Sequence, residues 1–105
     1  MTAIVRFRAL SCQEQNDLTG ADSVTLLYDA ELMWGPEDMT NGQTKSVNTD
    51  EVLSGTATVS LWERDSFDPN DHLGDITVSE SEKNDGDISK KFTKGAEYTL
   101  TYFVE

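Results

Sequence analysis

Between Leu61 and Gly74 an apolar run ends in a cluster of acids: Glu63, Asp65, Asp68 and Asp71 stand close together, with Ser66, Asn70 and Gly74 among and after them. Carboxylate oxygens are hard donors, and a hard cation needs several of them at once. Calcium takes about 6–8 oxygen ligands at roughly 2.3–2.6 Å, and a short loop with acids at alternating or nearby positions turns several inward together. Magnesium demands a stricter octahedron, so a flexible loop favours calcium. A second acidic turn, Asn16-Asp17-Leu18-Thr19-Gly20-Ala21-Asp22-Ser23, leads into apolar residues from Val24 onward. The competing reading is a solvated acidic rim, because Asp, Asn and Gly are turn residues in any protein.

The whole composition bears on that choice. Twenty acids against 8 bases give a formal net charge of -12 over 105 residues. Phosphate binding needs concentrated Lys and Arg, so nucleic acid is excluded as a partner, and simple electrostatic adhesion to anionic membranes is disfavoured. A charge of this size repels itself in the compact state, so a bound metal would stabilise the fold as well as fill a site. Cys12 is the single cysteine, which rules out an intrachain disulfide and a Cys zinc cluster and leaves it as a small packed residue. The N-terminus from Met1 to Arg8 lacks the apolar run of a signal peptide. No segment approaches the roughly 20 apolar residues of a membrane helix, so the chain is expected to be soluble, with its compartment open.

Catalysis finds little support. His72 is the only histidine, no Ser or Cys nucleophile motif accompanies it, and paired carboxylates without an evident pocket are a weak hydrolase signal. No catalytic residue is assigned. His72 is expected to face solvent or pack beside the loop, and Trp34 and Trp62 to be core or strand-face residues.

The acids must be held by strands, because apolar residues alternate with polar ones at period two and helical spacing is hard to find. A first strand is expected over about residues 3–13, with Ile4, Arg6, Arg8 and Leu10 on one face and Val5, Phe7 and Ala9 on the other. Further strands are expected from Ser23 to Trp34, with a turn near Tyr28-Asp29-Ala30 dividing the segment, over 56–64, over 74–80 and over 97–104. The last is the strongest, being rich in aromatic and β-branched residues. Residues 35–45 read as a loop, and Asn84-Asp85-Gly86-Asp87 as an ordinary turn at the end opposite the acids. Nothing in the sequence fixes the place of Asp50-Glu51. Seven to eight short strands in one unit, residues 1–105, indicate an all-β antiparallel sandwich.

Residues 61–78, from Leu61 through Val78, resemble the third calcium loop and flanking strands of the C2 domains, the calcium- and lipid-binding sandwiches; residues 16–23 are similar to the first calcium loop of that family. The resemblance implies a calcium ligand set of Glu63, Asp65, Asp68 and Asp71 with Asp22 and either Asp17 or Asn16, helped by the carbonyls of Arg64 and Leu18. It also implies membrane contact by Phe67 at a loop tip, with Arg64 beside it. Lys90, Lys91 and Lys94 stand elsewhere in the chain. Basic residues are few, so plain calcium binding ranks above lipid binding. The other readings are a protein- or carbohydrate-recognition module and a metal-independent assembly subunit.

Overall fold

Alternation at period two makes a strand amphipathic, and such a strand is stable only where a second layer covers its apolar side. In the computed structural model, which describes residues 2–16, 20–64 and 70–105, eight strands are found among the described residues. They are β1 (Ala3–Glu14), β2 (Asp22–Tyr28), β3 (Glu31–Met39), β4 (Thr44–Leu53), β5 (Thr56–Glu63), β6 (Asp71–Ser79), β7 (Ile88–Phe92) and β8 (Glu97–Val104). Neighbouring strands pair antiparallel in two four-stranded sheets, of order β4-β1-β8-β7 and β3-β2-β5-β6. The architecture is the all-β antiparallel sandwich that the sequence indicates. Among the described residues no helix is long and apolar enough to cross a membrane.

The core lies between the sheets. Tyr98, Leu100, Tyr102 and Val104 from β8 join Val5, Phe7, Leu10 and Cys12 from β1 in one buried cluster with Val24, Leu26, Val59 and Leu61 of the opposite sheet. Phe7 packs edge-on against Tyr28, with ring centroids 6.0 Å apart, which ties the layers together at their middle.

Two expectations are corrected. Leu10 is fully buried on the side of Val5 and Phe7, not on the side of Ile4, Arg6 and Arg8, because the β1 register shifts between Phe7 and Ala9 against both neighbours. A bulge inserts one residue and reverses the parity beyond it. The expected loop over 35–45 is mostly strand: β3 runs to Met39, β4 starts at Thr44, and Asp50-Glu51 lies within β4. Glu37 and Asp38 are exposed, so no apolar alternation marks this stretch, yet its backbone still pairs with β2 through Asp22↔Met39, Ser23↔Asp38 and Val24↔Glu37. Charged residues and a proline are ordinary protection for an edge strand. The hairpin turn is at Asp29 and Ala30, whose φ angles are 47° and 70°.

A short 3-10 turn, Glu80–Glu82, follows β6 at the end away from the acidic connections, and residues 84–87 follow it there as expected. Burial alone would push the Glu82 carboxyl up, but the Lys90 ammonium at 2.9 Å, the Tyr102 hydroxyl at 2.8 and 2.9 Å and the Ser79 amide at 2.9 Å outweigh it and hold the group below the usual carboxylate range. A depressed carboxyl stabilises the fold above its unfolded pKa and loses that contribution as pH falls through its folded pKa. Melting temperature measured from pH 6 down to pH 2 should therefore drop more steeply for the wild type than for Glu82→Gln, which keeps an acceptor for Tyr102 but does not titrate.

Candidate functional site

Antiparallel pairing sends the β1–β2, β3–β4, β5–β6 and β7–β8 connections out of the same end of the sandwich. The connections at that end are tied to one another by hydrogen bonds. The Asn41 side chain accepts from the Gln15 amide at 2.7 Å, the Lys94 amide donates to the Leu73 carbonyl at 3.1 Å, and Asn16 Nδ2 donates to the Gly95 carbonyl at 3.0 Å.

Asp22 opens β2 and Glu63 closes β5, and their side chains are the two fully buried carboxylates among the described residues, at 0% and 1% exposure. They sit on adjacent strands, since Glu63 is the partner of Val24, and Asp71 at the start of β6 is in turn the partner of Glu63. Three of the expected ligands thus occupy neighbouring strand ends in one sheet. The Arg64 amide donates to the Ser23 carbonyl at 2.7 Å, which continues the ladder past Glu63 and fixes where the chain leaves the sheet.

Asp22 does not rely on water. Its Oδ2 accepts from the Asn16 amide at 2.6 Å and from the Tyr98 hydroxyl at 2.6 Å, the latter reaching across from β8 in the opposite sheet. Burial, reinforced by donation to Asp22, pushes the Tyr98 phenol far above its ordinary pKa, so it stays a proton donor throughout the working pH range. Cys12 lies beside Tyr98 and is buried as expected; burial likewise pushes its thiol up. Tyr98 is the residue that sequence reasoning missed. Its signal was the inward parity at the first turnward position of β8, because a buried tyrosine hydroxyl needs a partner.

The remaining expectations divide. Asp71 and Arg64 are exposed, and Asn16 serves Asp22 through its backbone while its side chain is spent on Gly95. Asp17, Leu18, Asp65, Phe67 and Asp68 lie outside the described residues. Among the described residues no group of three or more His, Cys, Asp or Glu is arranged to hold a metal ion. Asp22, Glu63 and Asp71 nevertheless offer carboxylate oxygen, the kind of donor that a hard cation takes. His72 stacks on Trp62, with centroids 4.6 Å apart, and its Nε2 lies 2.7 Å from Asp75 Oδ1. A Ser60 hydrogen bond, with His72 assisting, holds the Asp75 carboxyl below its usual range. On the outer face beside this pair, Thr25, Leu27, Leu32, Trp62, Arg64 and Asn70 line an open groove of about 460 Å³.

No protein-family model matches the sequence, and no curated protein matches it. Solved structures do match in three dimensions. A structure described as a C2 domain aligns with a TM-score of 0.60 at 11% identity, covering 100% of this chain and 98% of that one. A C2 domain of plant extended synaptotagmin 1 aligns with a TM-score of 0.63 at 13% identity, covering 98% and 91%. Human GIVD cytosolic phospholipase A2 aligns with a TM-score of 0.56 at 18% identity, covering 99% of this chain but 16% of the enzyme. The chain has a C2-like fold, in agreement with the resemblance read from its loops.

Proposed function

We propose that residues 1–105 form a single C2-like domain that binds calcium through its acidic end and so orders a binding surface, without catalysis of its own. The observation that carries this reading is the pair of buried carboxylates, Asp22 and Glu63, at adjacent strand ends. Both carboxylates are taken out of water at the end where the acids of the two turns gather, and carboxylate oxygen is the donor a hard divalent cation takes. Asp22, Glu63 and Asp71 would hold the ion from the strand ends, with Asp65, Asp68 and either Asp17 or Asn16 completing the set. A bound calcium supplies positive charge that neutralises these acids and joins the β1–β2 and β5–β6 connections.

Calorimetric titration tests it directly. Calcium is expected to bind saturably, magnesium much more weakly, and the double variant Asp65→Asn with Asp71→Asn to lose calcium binding. If the wild type takes up no calcium, the acidic end is a solvated rim and the metal-independent assembly reading leads.

A second reading places the ligand surface on the outer face of the β3-β2-β5-β6 sheet, where Leu32 is 64% exposed beside the Trp62 groove. Exposed apolar area beside an aromatic wall suits a protein or carbohydrate partner. The calcium-dependent phospholipid reading relies instead on Phe67 and Arg64. Sedimentation with phosphatidylserine vesicles separates the two, because the lipid reading requires calcium-dependent pelleting that Phe67→Ala loses.

A further inference from the structure

β8 presents two fully buried tyrosines to the core, and each donates its hydroxyl to a carboxylate. At the end away from the acidic connections, Tyr102 serves Glu82, whose charge is also met by the Lys90 ammonium at 2.9 Å. At the acidic end, Tyr98 crosses from one sheet to the other to reach Asp22 at 2.6 Å, where the Asn16 amide donates as well. The Asn16 amide and the Tyr98 hydroxyl meet at the same oxygen, Oδ2, and so orient the carboxylate. The tyrosine itself has no freedom to swing: its ring is 0% exposed in the core, and Cys12 flanks its hydroxyl.

We propose that Tyr98 is a positioning residue for the calcium end, its hydroxyl fixing the Asp22 carboxylate in the orientation from which that group ligates the ion. The inference rests on the calcium reading above and adds a residue from the opposite sheet, which no loop contains. A ligand already held in place needs no ordering when the cation arrives, and hydrogen-bond partners of metal ligands typically account for about 10–100-fold in affinity.

Calorimetric titration of the full chain with calcium chloride, for the wild type, Tyr98→Phe and Tyr102→Phe, tests it. Tyr98→Phe is expected to weaken calcium binding by about 10–100-fold. Tyr102→Phe makes the same deletion at the far end of the same strand; it is expected to lower the melting temperature and leave the Kd unchanged. Should Tyr98→Phe fail to fold by far-ultraviolet circular dichroism, 4-fluorophenylalanine at position 98 fills the hydroxyl's space without donating, and the same loss is expected. Calcium binding that is as tight without the Tyr98 hydroxyl as with it, or equally weakened by both deletions, overturns the inference and leaves the calcium reading standing. No saturable binding to the wild type overturns both.

Discussion

Asp22→Asn is expected to be nearly silent in chelator and to abolish the calcium-induced rise in melting temperature. The amide keeps the shape of the side chain, and its oxygen takes over as acceptor for the Asn16 amide and the Tyr98 hydroxyl, which meet at one carboxylate oxygen in the wild type. These two donors keep their acceptor, so neither incurs the penalty of about 1–3 kcal/mol for orphaning a buried polar group, and the cost that remains is that of seating an amide N–H2 in place of Oδ1. With calcium the two proteins diverge. A ligand that binds only the folded state at about 100 times its Kd stabilises by about 2.7 kcal/mol. For a domain of this size that corresponds to a rise of roughly 10–20 °C, which scanning calorimetry would find in the wild type and not in the variant. A variant that keeps the full rise would remove Asp22 from the ligand set.

That contrast depends on burial, which the sequence carries only in part. The strands over 3–13, 56–64 and 97–104 were legible because each alternates, and each contributes a full inward row to the core. β3, β4 and β7 lie at or toward sheet edges, where pairing needs backbone groups more than apolar side chains, so Glu37, Asp38 and Lys91 look like loop residues while their backbones complete a ladder. The β1 bulge is hidden for another reason: it depends on register against two neighbours, and local spacing holds no record of either. At the site the same division holds. The acids of both turns stand out by type and spacing, but nothing local says that Asp22 and Glu63 are fully buried while Asp71 is exposed. The Tyr98–Asp22 contact spans 76 positions and both sheets, so only the folded chain reveals it.

Gly35→Ala is expected to be among the most destabilising single changes outside the large core side chains, at about 3 kcal/mol, because backbone strain and overpacking each cost about 1–3 kcal/mol and here they coincide. Gly35 sits in β3 at φ 95°, and a Cβ there would lie 2.5 Å from the Val24 carbonyl oxygen and 3.1 Å from the Thr25 Cα. Both are backbone atoms of β2, so no side chain can rotate away; the strand itself must move. β2 is paired on its other side with β5, through Val24↔Glu63 and Thr25↔Trp62, and begins at Asp22. Displacing it therefore disturbs the seat of both buried carboxylates as well as the ladder. Gly42→Ala is the matched control. Its φ is 84°, but nothing lies within 4 Å of the added carbon, so it carries the conformational penalty alone, about 1 kcal/mol. Urea unfolding of the two variants should separate them by about 2 kcal/mol, provided their m values agree. Equal midpoints would mean that β2 and β3 part at this point without cost, and that the edge strand does not hold Asp22 in register.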